Sequence, residues 1–284
     1  MENVLILGAR GTLGGRFRGL FPAATGWDRE DVDVLDFDAL RARVEALAPA
    51  PEAIVNCVAF NDVDGAEDRR EAAFALNAEF PGKLARLAVE REIPLVHYST
   101  NYVFDGVKGE YSESDAPAPL SAYGLSKLMG EEAVLAAGGR NYVVRTAVIF
   151  GPKGESELSK RSFVDLMLDL AAKRDTIQAV DDEINSVTYA PDLAFATRLL
   201  LEDAPGAGVY HLANDGEASW CDFAREIFRI AGKPVTVVPV SSTAFPRKAS
   251  RPARAVLFNT RRPRLRPWRE ALSELLAGRD RLSW

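Results

Sequence analysis

Val4-Leu5-Ile6-Leu7-Gly8-Ala9-Arg10-Gly11-Thr12-Leu13-Gly14 decides the fold. Its four opening apolar residues have the length and β-branched content of a strand buried on both faces. Glycines at the first, fourth and seventh positions of the turn let the strand reverse sharply, let a pyrophosphate approach the backbone, and let the next helix pack close to the sheet. A helix beginning near Thr12 aims its free N–H groups and positive dipole end at that phosphate. In isolation such a turn is often purely structural; a strand before it and a helix after it are the context a dinucleotide site requires. Gly8, Gly11, Thr12 and Leu13 are therefore candidate cofactor-binding residues. Asp28 follows about twenty residues after Gly8, near the end of a short strand expected over Ala23 to Trp27, where a carboxylate meets the adenosine ribose hydroxyls. Arg29 beside it is placed to meet a 2′-phosphate instead, so NADPH and NADH both stay open.

Short apolar runs and amphipathic stretches alternate beyond the turn. Ala53-Ile54-Val55, Leu95-Val96 and Tyr142-Val143-Val144 read as buried strands, and Asp38 to Leu47, Ala72 to Glu90 and Ala122 to Ala136 as helices. This alternation predicts an α/β fold, a doubly wound Rossmann-type parallel sheet covered on both sides. Further on, helices are expected over Phe163 to Ala172, Pro191 to Leu201, Ser219 to Ala231 (Ser219 as N-cap) and Trp268 to Leu276. Strands are expected over Thr176 to Val180, Val209 to Leu212 and Val235 to Val238. Residues 1–150 thus read as the dinucleotide-binding core. Residues 151–284 read mainly as a smaller substrate lobe with segments returning to the core. The loop Gly151 to Ser162 is expected to be mobile beside the site.

Bulk properties narrow the function. A net charge of -6 argues against a nucleic-acid binder, which needs clustered Lys and Arg. The one basic stretch, Arg247 to Arg269, reads as a loop with snorkelling arginines. Cys57 and Cys221 read as buried packing residues, and with two histidines the chain is poorly supplied for a metal site. No apolar run approaches the ~20 residues that span a bilayer. A strand starting at Asn3 leaves no room for a signal peptide, so the expected location is cytoplasmic.

Tyr123-Gly124-Leu125-Ser126-Lys127 sets a phenol and an ammonium four residues apart, on one face of a helix. Carbonyl reduction needs a hydride and a proton for the alkoxide. A phenol of ordinary pKa is a poor acid at neutral pH, and a nearby cation is expected to lower it toward the working range. The Lys127 side chain can also hydrogen-bond the nicotinamide ribose. Ser99-Thr100-Asn101 follows the strand Pro94 to Tyr98 at the end that opens onto the cleft of such a sheet. Thr100 is the expected hydrogen-bond donor to the carbonyl, with Ser99 structural.

With these residues in place, the chain resembles the extended short-chain dehydrogenase/reductase family and, within it, the dTDP-4-dehydrorhamnose reductases. The resemblance runs through the Gly8–Gly14 turn, Val63 to Glu67, Leu76-Asn77-Ala78, Ser99-Thr100-Asn101-Tyr102-Val103-Phe104-Asp105-Gly106, Tyr123 to Glu131, Thr188 to Ala194, Tyr210 to Asn214 and Arg251-Pro252. It implies Thr100, Tyr123 and Lys127 as the catalytic set. It also implies Asp33-Val34 against the adenine and Val58-Ala59-Phe60 along the middle of the cofactor. The implied substrate is a nucleoside-diphosphate sugar with a C4 ketone and a deoxygenated C6. Asn101, Val103 and Asn185 are then substrate-binding positions, and Arg251 is a diphosphate contact. The family commonly has Asp at 101 and Gly at 185, and Asn-Ser where Ala253-Arg254 stands. These departures bear on the sugar and base rather than the hydride path. Alternatives are a nucleotide-sugar epimerase or dehydratase, and a non-catalytic dinucleotide-binding regulatory subunit. No membrane or nucleic-acid partner is expected, no metal is assigned, and a homodimer stays open.

Overall fold

The computed structural model describes residues 1–156 and 161–280. The first half runs β1 (Val4–Leu7), α1 (Gly14–Phe17), β2 (Thr25–Trp27), α2 (Phe37–Glu45), β3 (Ala53–Asn56), α3 (Gly65–Asp68), α4 (Arg70–Phe74), α5 (Phe80–Glu90), β4 (Leu95–Thr100), β5 (Gly109–Tyr111), α6 (Ala122–Ala136) and β6 (Asn141–Thr146). The second half runs β7 (Ile149–Phe150), α7 (Phe163–Ala171), β8 (Thr176–Val180), β9 (Ile184–Ser186), β10 (Thr188–Tyr189), α8 (Ala190–Asp203), β11 (Gly208–His211), β12 (Asn214–Asp215), β13 (Glu217–Ser219), α9 (Trp220–Ile230), β14 (Thr236–Val240), β15 (Arg254–Leu257), β16 (Leu265–Pro267) and α10 (Trp268–Asp280).

Six strands in the order β11-β6-β4-β3-β1-β2 form one sheet, every neighbouring pair parallel. Every residue of β1, β3, β4 and β6 is buried, as a sheet with both faces covered demands. Val4 and Ile6 point to one side, where Phe17 of α1, Phe21 just after it, and Leu193 and Leu200 of α8 cover them. Leu5 and Leu7 point to the other, against Leu40, Val44, Leu84, Leu87 and Val134 from α2, α5 and α6. The chain order reverses direction between β1 and β3, and the crevice beyond their carboxyl ends is where such sheets take ligands.

A second core gathers Phe150, Val164, Met167, Ile177, Phe223, Ile227, Trp268 and Leu272. Beside it lies a four-stranded mixed sheet, β13-β9-β15-β5, to which β5 comes from before residue 150. Conversely β11 and α8 return to the main sheet and its covering layer.

Several elements differ from the sequence expectation. The first helix begins at Gly14 rather than Thr12, and the stretch read as one helix from Ala72 is three segments, with a π-helical turn at Ala75–Glu79 between α4 and α5. Pro81 has no N–H to return to the Asn77 carbonyl, and the wider turn absorbs the missing bond. That carbonyl lies where a Cβ on Gly130 of α6 would stand, at 2.1 Å, so α6 packs against it through a bare backbone. The basic stretch Arg247 to Arg269 is not a snorkelling loop. It holds β15 and β16, and seven of its nine charges are paired with carboxylates: Arg247 with Glu183, Lys248 with Asp68, Arg251 with Asp64, Arg254 with Glu217, Arg262 with Asp203, Arg264 with Asp215 and Arg266 with Asp192. In the loop expected to be mobile, residues 157–160 lie outside the described residues. Its first part is tied down, with the Ser156 N–H donating to the Arg10 carbonyl at 3.0 Å.

Candidate active site

A cleft of about 900 Å³ opens beyond the carboxyl ends of β1, β3, β4 and β6. Its floor at one end is the glycine turn. Gly8 has a left-handed φ of 77°, and a Cβ on Gly14 would stand 2.0 Å from the Gly8 carbonyl oxygen, so strand and helix approach only because both are glycine. The cradle fits a dinucleotide: its backbone is bare where a pyrophosphate must come close, and Gly8, Gly11, Thr12 and Leu13 all line it. Asp28, Arg29, Asp33 and Val34 line the same end, and Val58 and Ala59 its middle. The Asp28 carboxylate is positioned by the N–H groups of Arg10 and Arg29, each at 2.9 Å. Cys57, read as a packing residue, is half-buried and borders the cleft, and burial pushes its thiol up.

At the other end, Thr100 closes β4 and caps the 3-10 turn Asn101–Val103 by accepting the Tyr102 N–H at 3.2 Å. Ser121 caps α6 by accepting from the Gly124 N–H at 3.1 Å, which starts the helix one residue before Tyr123. Tyr123 packs edge-on against Tyr102 at 6.0 Å between ring centroids and borders the cleft with Thr100 and Lys127. Burial pushes its phenol up to about 12, with a hydrogen bond to Thr100 the main opposing influence. The expected lowering by Lys127 is absent. Its Nζ donates to the Tyr98 carbonyl at 2.5 Å and lies 3.4 Å from the His97 ring, and burial lowers the amine to about 8 against the pull of Glu131. Glu131, one turn on, is held by Arg145 (2.6 Å) and by the Ser99 hydroxyl (2.5 Å), all three buried. Ser99 is thus a structural neighbour of Thr100.

Four sequence-predicted residues do not line the cleft. Phe60 carries the Arg69 guanidinium over its ring, Val103 is fully buried, and Asn185 and Arg251 are engaged elsewhere. Arg251 pairs with Asp64 at 2.8 Å and donates to the Ala249 carbonyl; the guanidinium in turn holds the Asp64 carboxyl down at about 2. Asn185 accepts from Asn101 Nδ2 at 2.7 Å, and the same nitrogen donates to the Ala255 carbonyl at 2.9 Å. The Asn101 carbonyl oxygen faces the Thr100 hydroxyl at 3.4 Å. The two departures from the family pattern are therefore partners. A carboxylate at 101 has no N–H for either acceptor, and a glycine at 185 offers no side-chain oxygen.

The structure adds Arg161, Phe163 and Trp220 to the cleft wall, with the two rings 4.8 Å apart. Arg161 also reaches Asp169 of α7 and stays about half exposed. A cation beside an aromatic pair suits a nucleoside diphosphate, phosphate on one and base on the other. No local motif marks these three residues, which the fold of the lobe brings together. Val148 lines the wall with a left-handed φ of 38°, a conformation a β-branched residue takes only when its surroundings impose it.

The chain matches the model of the RmlD substrate binding domain over residues 1–280. It is 38% identical to a dTDP-4-dehydrorhamnose reductase of Mycobacterium tuberculosis, over 97% of this chain and 93% of that one. A probable dTDP-4,6-dihydroxy-2-methyloxan-3-one 4-ketoreductase of Streptomyces antibioticus is 41% identical, over 95% and 93% of the two chains. Among solved structures, a dTDP-4-dehydrorhamnose reductase of Bacillus anthracis in complex with NADP superposes with a TM-score of 0.91 at 31% identity, covering 98% of this chain and 99% of that one.

Proposed function

The chain belongs to the RmlD substrate-binding domain family, and from that premise we propose that it reduces the C4 ketone of a nucleoside-diphosphate 4-keto-6-deoxyhexose, of the dTDP-4-dehydrorhamnose type, with NADPH or NADH. The observation that carries the reading is the convergence of Thr100, Tyr123 and Lys127 on a cleft whose far end is the glycine cradle. When bound, the nicotinamide supplies the hydride. The remaining work falls to the chain. Gly8, Gly11, Thr12 and Leu13 receive the pyrophosphate, Asp28 and Arg29 the adenosine ribose, Asp33 and Val34 the adenine, and Val58 and Ala59 flank the middle.

Tyr123 gives its proton to the oxygen of the reacting ketone. A phenol held up at about 12 is fully protonated at neutral pH, as an acid must be at the start, and an alkoxide is basic enough to take that proton. The Thr100 hydroxyl donates to the same oxygen from a buried position, where such a bond is worth more than in water. Lys127 holds the nicotinamide ribose and returns a proton to Tyr123. Arg161 takes the diphosphate and the Phe163–Trp220 pair the base. Asn101 acts on the sugar by fixing Thr100 and the turn behind it.

The setting is taken to be the cytoplasm. No described helix is long and apolar enough to cross a membrane, and both cysteines are free thiols, as a reducing compartment keeps them. A homodimer fits the exposed Leu125 and Met129 on α6, and sedimentation of the purified chain decides it.

The test is sugar-dependent loss of reduced nicotinamide absorbance, wild type beside Tyr123→Phe. The variant should bind NADPH normally and lose about 10²–10⁴-fold in kcat. A wild type that oxidises no cofactor with dTDP-, GDP- or UDP-linked 4-keto-6-deoxyhexoses refutes the reductase reading, and indifference to Tyr123→Phe would mark a scaffolding role.

A further inference from the structure

Lys127 has an unusual partner. His97 is fully buried on β4, and its ring lies between two side chains: Asn56 Nδ2 is 3.1 Å from Nδ1, and Lys127 Nζ is 3.4 Å from Nε2. Which nitrogen carries the ring proton follows from the next residue along. The Asn56 carbonyl oxygen accepts the Val58 backbone N–H at 3.1 Å, which fixes the amide with its NH₂ toward the ring. Nδ1 must then accept, and the proton of the neutral ring sits on Nε2, facing Lys127.

An amine and an ammonium differ in what they can do opposite an N–H. The neutral Lys127 amine can donate to the Tyr98 carbonyl, accept from Nε2–H with its lone pair, and keep one N–H for a ligand. The ammonium has no lone pair and sets N–H against N–H. Relief requires the ring proton to move to Nδ1, the Asn56 amide to turn over, and the Val58 N–H to lose its acceptor. Few charges oppose this. Of the elements packed on this side of the sheet, α6 offers Glu131, already held by Arg145 of β6 and by Ser99 of β4. The π-helical turn offers Asn77, whose amide goes to Phe60 and Ser126, and β3 offers Asn56. Burial of the His97 ring and of the Lys127 amine acts in the same direction, lowering both.

We infer that His97 is a positioning residue for Lys127: Asn56 holds the ring proton on Nε2, the ring meets the lysine as a donor, and this contact sets the alkaline limit of ketone reduction. The limit itself rests on the reductase reading; the proton position does not.

The test pairs a spectroscopic readout with a pH profile. The chain has two histidines, so ¹⁵N spectra of histidine-labelled protein show two rings, told apart with His97→Gln. His97 should remain neutral with the proton on Nε2 from pH 6 to 9, and the alkaline limb of kcat should fall near 8. Asn56→Asp puts a carboxylate against Nδ1, draws the ring proton there and turns the Nε2 lone pair to Lys127. The spectrum should reverse, and the limb should rise by about one unit, a tenfold gain in proton affinity. If Asn56→Asp does not fold, His97→Gln should move the limb the same way, because its amide oxygen can face the lysine. A wild-type proton on Nδ1, or a reversed ring with an unmoved limb, overturns the inference. If no ketosugar is reduced, the reductase reading falls, and the pH dependence of NADPH binding reports the same lysine ionisation.

Discussion

Replacing Asn101 by Asp restores the residue common in the family and should nonetheless be costly here. Asn101 is 2% exposed, and its Nδ2 gives one N–H to Asn185 at 2.7 Å and one to the Ala255 carbonyl at 2.9 Å. An ionised carboxylate would set oxygen against both acceptors, so the folded state keeps the acid protonated above its usual range. The protonated acid donates once where the amide donated twice, and the lost neutral bond costs about 1 kcal/mol. If the folded pKa rises by about two units, to ~6 from an unfolded ~3.9, linkage adds ~2.7 kcal/mol at pH 7. The total is ~4 kcal/mol. The sign follows from the raised folded pKa: the linkage penalty is absent below pH ~4, grows as pH rises through ~6, and is complete by 7. Urea unfolding of wild type and Asn101→Asp at pH 4.5, 6 and 7 measures it, and Asn101→Asp with Asn185→Gly should recover part of the loss by removing one opposing oxygen. A single variant within about 0.5 kcal/mol of wild type at pH 7 refutes the hydrogen-bond assignment.

Other consequences can be measured separately. Gly130→Ala places a methyl group 2.1 Å from the Asn77 carbonyl oxygen, and the backbone must yield; a loss of ~3 kcal/mol by chemical unfolding is expected, with kcat falling as Lys127 shifts. Arg161→Ala should raise KM for the nucleotide sugar about tenfold, equivalent to ~1.4 kcal/mol, with NADPH binding unchanged. Arg251→Ala should instead leave that KM within about twofold and lower stability by ~1 kcal/mol, since its partner Asp64 is half-exposed.

The cofactor half of the molecule is legible because its signals are local. Four apolar residues and a seven-residue turn hold the information for the cradle, and a four-residue spacing holds the tyrosine and lysine. The second half is less so. Glu217-Ala218-Ser219 and Ile184-Asn185-Ser186 form strands without apolar alternation, and β5 joins β15 across more than a hundred residues. Such pairings are decided by tertiary packing rather than propensity. Arginine after proline in Arg247 to Arg269 resembled a solvated loop because the carboxylates that pair with it are distant in sequence. The same distance in sequence hid the pairing of Arg251 with Asp64 and the place of Arg161 on the cleft wall. The resemblance singles out positions 101 and 185 as departures, and it is their hydrogen bond in the folded chain that ties one to the other. Likewise a lysine four residues after a tyrosine says nothing of where its amine points, and here it points to a buried carbonyl and imidazole.

Helix α6 approaches its neighbours at two bare points that flank Lys127. A Cβ on Gly124 would stand 2.3 Å from the Tyr102 carbonyl oxygen, and one on Gly130 2.1 Å from that of Asn77. The helix is thereby seated on two carbonyls like a beam on two notches, with Tyr123 at one notch and Lys127 between them. It cannot slide or roll by a fraction of a turn without lifting from both. A chain so held must relocate Tyr123 by moving the whole beam, so a change of ligand is more readily won by recutting the lobe opposite than by shifting that side chain.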